Sequence, residues 1–196
     1  MNANENNIAI IPFTEELAAH FTRLNTAWLQ KFFVVEPVDA EMLANPKQFF
    51  IDKGSLIFFA TINNEIAGTF ALLKESDTVY ELSKMAVDEK YQGRKIGNHM
   101  MEFAIAKAAA LHATKIILYS SKKLANAIHL YTKYGFIEVQ LDTSLYKRAD
   151  IKMEMELLAE RWRFEVDAWW MKVNGLLITA AVCLIIKIIG PAADFN

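Results

Sequence analysis

The chain of 196 residues is predicted to form an α+β domain, a mixed αβ sandwich whose mostly antiparallel sheet is flanked by helices, with an extra C-terminal helical tail. Three observations lead there. Residues 56–62 and 66–73 are apolar runs separated by Asn63-Asn64, the pattern of a tight antiparallel hairpin. From residue 79 onward strand-like and helix-like periods alternate, which calls for a parallel step in the same sheet. After residue 157 the composition changes to an aromatic and then an aliphatic run.

The elements follow in order. Ile8, Ile10 and Ile11 before Pro12 read as a first strand, and Thr14 then serves as the cap of a helix reaching Lys31, with Leu17, Phe21, Leu24 and Trp28 on one face. Residues 39–43 and 46–51 read as two short helical pieces broken at Asn45-Pro46, expected to form a mobile lip with the first helix. Residues 79–87 make a third hairpin-sheet strand after the polar turn Glu75-Ser76-Asp77. Ile96, Met100, Phe103, Ala104 and Leu111 recur at helical spacing and place a helix over 97–111. Residues 115–120 are a buried-type strand, 125–134 a helix stopped by Gly135 in a left-handed cap, and 136–139 and 151–157 the closing strands.

Composition narrows the function. A net charge of -2 does not supply the broad basic surface of a non-specific nucleic-acid binder, so no nucleic-acid partner is expected. The one cysteine, Cys183, excludes an internal disulfide framework and a cysteine metal site. His20, His99, His112 and His129 lack metal-ligand spacing, and no metal is expected. Residues 1–7 are polar and lack an apolar signal core, so a cytoplasmic location is expected for the body of the protein.

The main chemical signal is the stretch from Met85 to Gly97, a strand, a short loop and a helix start. The first turn of a helix offers unpaired N–H groups and the positive end of its dipole, and glycine lets backbone approach an anion without a Cβ in the way. In Gln92-Gly93-Arg94-Lys95-Ile96-Gly97-Asn98 two basic side chains add to that field. Residues 85–98 therefore suit a phosphate group, although a plain strand-to-helix turn has the same outline. A dinucleotide-binding turn is ruled out, because G-x-G-x-x-G does not occur and the preceding strand follows a hairpin.

The segment from Gln92 to Gly97 resembles the acyl-CoA signature [Q/R]-x-x-G-x-[G/A] of the GNAT N-acetyltransferase superfamily, with Lys95 at the position where the pattern has glycine. A second block, Asn126 to Phe136, resembles the family's N-x-x-A-x-x-L-Y-x-x-x-G-F element; Leu130-Tyr131, Lys133 and Gly135-Phe136 match, and the alanine is missing. The resemblance covers residues 8–157 and implies a GNAT-like fold with acetyl-CoA as co-substrate. It further implies cofactor contacts from Met85, Ala86, Val87, Gln92, Gly93, Arg94, Lys95, Ile96, Gly97, Asn98, Asn126 and Lys133. For Asn126, helix capping is the competing role.

Acetyl transfer to an amine needs a neutral nucleophile, whereas a free alkyl amine with a pKa near about 10.4 is protonated at neutral pH. Glu81, on the strand entering the loop, matches the placement of the general base in the histone-acetyltransferase branch of the family; a solvent-facing edge-strand glutamate is the alternative reading. Asp88 and Glu89 read as loop surface charges. A backbone N–H near Met85 to Val87 is placed to meet the oxyanion, and Tyr131 is the family-matched acid for the leaving thiolate. With the only thiol in the tail, direct attack in a ternary complex is expected rather than a cysteine intermediate. The expected function is transfer of an acetyl group from acetyl-CoA to a primary amine on a small molecule or peptide; a non-catalytic acyl-CoA sensor or interaction module on the same fold is the alternative.

The tail, residues 158–196, carries Trp162, Trp169 and Trp170 ahead of the apolar run 176–189, closed by Gly190-Pro191. Residues 169–189 are about long enough for a bilayer, which needs roughly 20 apolar residues. Lys172, Asn174 and Lys187 would be costly in lipid. A membrane anchor and a helix packed on the domain or in a homodimer both fit.

Overall fold

The computed structural model describes residues 7–141 and 149–157. Seven strands form one sheet in the order β1-β2-β3-β4-β5-β7-β6. They are β1 (Ile8–Pro12), β2 (Leu56–Ile62), β3 (Glu65–Lys74), β4 (Val79–Val87), β5 (Lys115–Ser120), β6 (Ile137–Val139) and β7 (Ile151–Glu156). Neighbours pair antiparallel except β4 with β5. The helices are α1 (Ala18–Phe32), α2 (Pro37–Ala44), α3 (Pro46–Phe49), α4 (Ile96–Ala110) and α5 (Ala125–Lys133).

The β2–β3 hairpin closes as expected at Asn63 and Asn64, whose φ values of 51° and 67° are those of a type I′ turn matched to strand twist. Alternation along β2 then feeds two layers. Phe59, with Ile57 and Ala71, packs on Phe21, Leu29, Leu43 and Phe50 of the α1–α3 face. Phe58 points the other way, stacking on Phe70 and meeting Phe103 of α4 at a tilt, at ring distances of 5.4 and 4.9 Å. The first three helices were expected to be a mobile lip. Phe21 and Leu43 are fully buried, so these helices supply one of the two core layers as well as a rim. The Thr22 hydroxyl donates to the Leu43 carbonyl at 2.6 Å and ties α1 to α2.

Two helix starts differ from expectation. Thr14 makes no side-chain cap bond, because a 3-10 turn, Glu15–Leu17, precedes α1. At α2, Glu36 and Asp39 form a reciprocal capping box that the sequence reading missed: the Glu36 side chain takes the N3 backbone N–H, and Asp39 takes the Glu36 N–H at 3.2 Å. Gly135 takes the left-handed conformation expected of it (φ 95°), and the Phe136 N–H closes on the Tyr131 carbonyl at 3.1 Å.

The tail assigned to residues 158–196, with the anchor candidate at 169–189, lies outside the described residues. Among the described residues no helix is long and apolar enough to cross a membrane.

Candidate active site

β4 and β5 pair at only three positions, Val79 with Lys115, Tyr80 with Ile116 and Glu81 with Ile117. Beyond Glu81 the two parallel strands part, and the β5-facing edge of β4 from Leu82 onward pairs with no strand among the described residues. A bulge deepens the opening: the β3–β4 register jumps between Thr69–Ala86 and Ala71–Ser83, and Lys84 within it adopts φ 53°. A non-glycine residue held at positive φ costs of order 1–3 kcal/mol and is found where the surroundings impose it.

The gap opens into a cavity of about 510 Å3. Glu81, Met85 and Tyr131 line it together, with Ser120 and Leu124 on the β5–α5 side and Trp28, Phe33 and Asp39 on the side of α1 and α2. Glu81 is only 3% exposed, which rules out a solvent-facing edge glutamate. It occupies the last paired position before the strands part. Tyr131 projects from α5 into the same space; burial pushes its phenol up to about 12, with a hydrogen bond to the Ser120 hydroxyl pulling the other way. Ser120 was not singled out from sequence, since a serine ending a strand carries no distinguishing pattern. Asp150 holds this loop by accepting from Ser121 Oγ at 3.2 Å and from the Lys122 N–H at 2.6 Å.

The phosphate-suited loop is built one step away. Gly93 sits at φ 79° with open space where a Cβ would stand, and Lys95, the departure from the glycine pattern, nonetheless adopts the left-handed conformation (φ 61°) as the residue before α4. Its carbonyl takes the Asn98 and His99 N–H groups, at 2.9 and 3.3 Å, which starts the helix. The N–H groups of residues 93–97 donate to no backbone carbonyl among the described residues. Gly97 joins loop to cavity: a Cβ there would lie 3.4 Å from Leu130 Cδ2 and 3.9 Å from Met85 Cε, so the α4 start, the α5 face and the β4 bulge converge on it. Ala86 is buried in this seam, and Val87 and Asn98 are half-buried.

Asp88 and Glu89 are more than surface charges. Asp88 caps the 3-10 turn Glu89–Tyr91 through the Lys90 N–H at 3.2 Å and pairs with Arg23 of α1 at 2.8 Å, and Glu89 pairs with Lys31. Partial burial alone would raise the Asp88 carboxyl; the Arg23 hydrogen bond and the Lys90 N–H outweigh it and hold the group below its ordinary range. Lys90 and Tyr91 both donate to Glu65, anchoring the loop's other side. On α5, Asn126 is exposed, and the helix has Leu124 at its cap with no side-chain cap bond, so capping does not occupy Asn126. Lys133 lies at the far end of α5 with its ammonium 5.1 Å from the Tyr134 ring centroid.

Residues 21–136 match the family model described as Acetyltransferase (GNAT) family. The uncharacterized N-acetyltransferase YvbK of Bacillus subtilis (strain 168) is 28% identical over 116 residues, 58% of this chain and 75% of that protein. Among solved structures, an acetyltransferase of the GNAT family from Staphylococcus aureus Mu50 superposes with a TM-score of 0.69 at 22% identity, over 77% of this chain and 99% of that one. A GNAT family acetyltransferase from Elizabethkingia anophelis with acetyl-CoA bound gives a TM-score of 0.56 at 23% identity, over 79% of this chain and 100% of that one. The structural likenesses agree on the fold, and the family model spans more than half of the sequence: the chain belongs to the acetyltransferase (GNAT) family.

Proposed function

We propose that the chain is an acetyl-CoA-dependent N-acetyltransferase that acetylates a primary amine by direct attack in a ternary complex. The observation that carries this reading is the parting of β4 from β5 just past Glu81, with Tyr131 facing the same cavity from α5. The residues fit acetyl-CoA on three counts. Backbone N–H groups and positive charge at 93–97 suit a pyrophosphate, the open β4 edge at Met85 to Val87 suits an extended amide-bearing arm, and the cavity beyond suits an acyl group. Bound acetyl-CoA supplies an acetyl group activated as a thioester.

The chain's own residues do the rest. Gln92, Gly93, Arg94, Lys95, Ile96, Gly97 and Asn98 hold the anionic end, with Asn126 and Lys133 reaching from α5. Backbone N–H groups around Met85 to Val87 face the carbonyl oxygen as its charge grows. Glu81 takes the amine's proton, directly or through a water. Tyr131 keeps its own proton at working pH, because its phenol is pushed up to about 12, and so remains a hydrogen-bond donor to the departing sulfur. Residues 1–157 are proposed as the catalytic domain, one compact unit of the chain.

Mass analysis of products after incubation with acetyl-CoA and a panel of primary amines tests the reading. N-acetylated amine alongside free CoA is the expected result. Saturable acetyl-CoA binding without any acetylated product would instead identify a binding module.

A further inference from the structure

The cavity has a second half that acetyl-CoA chemistry does not explain, the part walled by α1, α2 and the outer end of β3. Trp28, Leu29, Phe33, Val38, Met42 and Leu73 line it. Trp28 is the hub of an aromatic cluster there, 5.5 Å from the Phe32 ring and 5.6 Å from the Phe33 ring. Such a wall takes an apolar body, whereas a chain carrying several ammonium groups would have to lay some of them desolvated against it.

Charge selects the other end of the acceptor. Among the described residues three carboxylates line the cavity, Glu36, Asp39 and Glu81, with one ammonium, Lys84, and each of the four is already engaged with a partner. Asp39 is 4% exposed and, with Glu36, is fixed in the capping box of α2, so both negative groups are held in position by backbone they already serve. Fixed carboxylates in a partly desolvated, aromatic-walled space favour an approaching ammonium, which also gains from the ring faces. An acceptor carboxylate would meet like charge there.

We propose that the acceptor is a small monoamine with an apolar, aryl-sized or branched-alkyl body and no carboxylate next to its amino group. This rests on the reading of the chain as an acetyl-CoA-dependent N-acetyltransferase. The amine enters past Glu36 and Asp39, its body lies on Trp28, Phe33 and Met42, and its nitrogen reaches Glu81. The ammonium gives one proton to Glu81, nitrogen forms the new bond to the acetyl carbon, the carbon–sulfur bond breaks, the sulfur leaves with the electron pair and takes the second proton lost by nitrogen to become the CoA thiol, and Glu81 returns its proton to solvent.

The test is thiol release by the full chain with acetyl-CoA and five acceptors: phenethylamine, 3-methylbutylamine, phenylalanine, spermidine and a short lysine-containing peptide. Phenethylamine and phenylalanine share a body and differ by the carboxylate. The expected result is a kcat/KM for phenethylamine at least about 100-fold above phenylalanine and spermidine, with 3-methylbutylamine next. Asp39→Asn keeps a capping side chain and narrows the phenethylamine-to-phenylalanine ratio by about tenfold. Phenylalanine, spermidine or the peptide turned over as fast as phenethylamine overturns the acceptor class and leaves acetyl transfer standing. Thiol release with none of the five, together with no acetyl-CoA binding by calorimetry, removes both readings.

Discussion

At the residue scale, the proposed chemistry concentrates on Tyr131. Its phenol is pushed up to about 12 by burial, well above the unfolded value near 10, so it is protonated at any pH where the protein works. A thiol has a pKa of roughly 8.5 in water, so full proton transfer from such a phenol to the leaving sulfur is uphill unless the sulfur is desolvated alike. The stronger role is a neutral donor that stabilises developing charge. Tyr131→Phe is expected to lower kcat by roughly a hundred- to thousand-fold with acetyl-CoA affinity retained, measured by steady-state kinetics and calorimetry. The same shift sets a stability sign. Below pH 10 the phenol is neutral in both states; between 10 and about 12 only the unfolded chain ionises, so stability falls there, and Tyr131→Phe removes that fall in alkaline melts. Tyr131 and Glu81, which line one cavity, could be singled out as candidates because one sits in a motif and the other on a strand entering it. The burial of Glu81 was not legible, since a single charged residue in an apolar strand reads equally as edge or interior until its neighbours are known. Ser120 was missed for the same reason, because the contact that distinguishes it, with Tyr131, lies on another element, and Asp39 was missed although its capping partner Glu36 is three residues away.

At the element scale, the site depends on where β4 stops pairing. Strand identities and most boundaries were legible from alternation and turn residues: β4 and β5 run as expected, and α4 starts within one residue of its expected start. The bulge at Lys84 and the parting after Glu81 were not, since register is set by packing on both faces. Gly68 shows how tightly that packing is held. A Cβ on it would lie 3.0 Å from the Ala86 carbonyl oxygen and 3.0 Å from Met100 Sδ, so the glycine lets β3 press against the bulged strand and α4. Gly68→Ala is expected to destabilise by about 1–3 kcal/mol in chemical denaturation, through overpacking against backbone that cannot yield. The loop offers a contrast. Lys95 already stands in a left-handed conformation, so Lys95→Gly relieves strain, while Lys95→Ala keeps the strain and loses the charge. Thermal melts should show Lys95→Gly at least as stable as Lys95→Ala, and acetyl-CoA affinities reduced equally below the native chain in both would identify the charge as the group's contribution.

At the scale of the molecule, ion pairs link the lip helices to the segment ahead of the phosphate-suited loop. Arg23 and Lys31 of α1 pair with Asp88 and Glu89 just ahead of that loop, while Phe21 and Leu29 of the same helix anchor in the core. Acetyl-CoA at about 100 times its Kd is expected to add about 2.7 kcal/mol of stability, a rise in Tm of about 5–10 °C by scanning calorimetry. A chain ending at Leu157 should show the same rise, since every residue proposed for the site precedes it. The α+β class and the family were legible in the sequence because two motifs stand in the right order. The acceptor was not, because the wall proposed for it is assembled from three elements whose residues, read singly, could line a site or simply pack. The most direct test of the central claim is amine-dependent release of free thiol from acetyl-CoA, followed side by side for the native chain, Glu81→Gln and Tyr131→Phe. The account predicts release that requires the amine and falls by roughly a hundredfold or more in each variant while acetyl-CoA still binds. Release that is absent in the native chain, or equal in all three proteins, would contradict it.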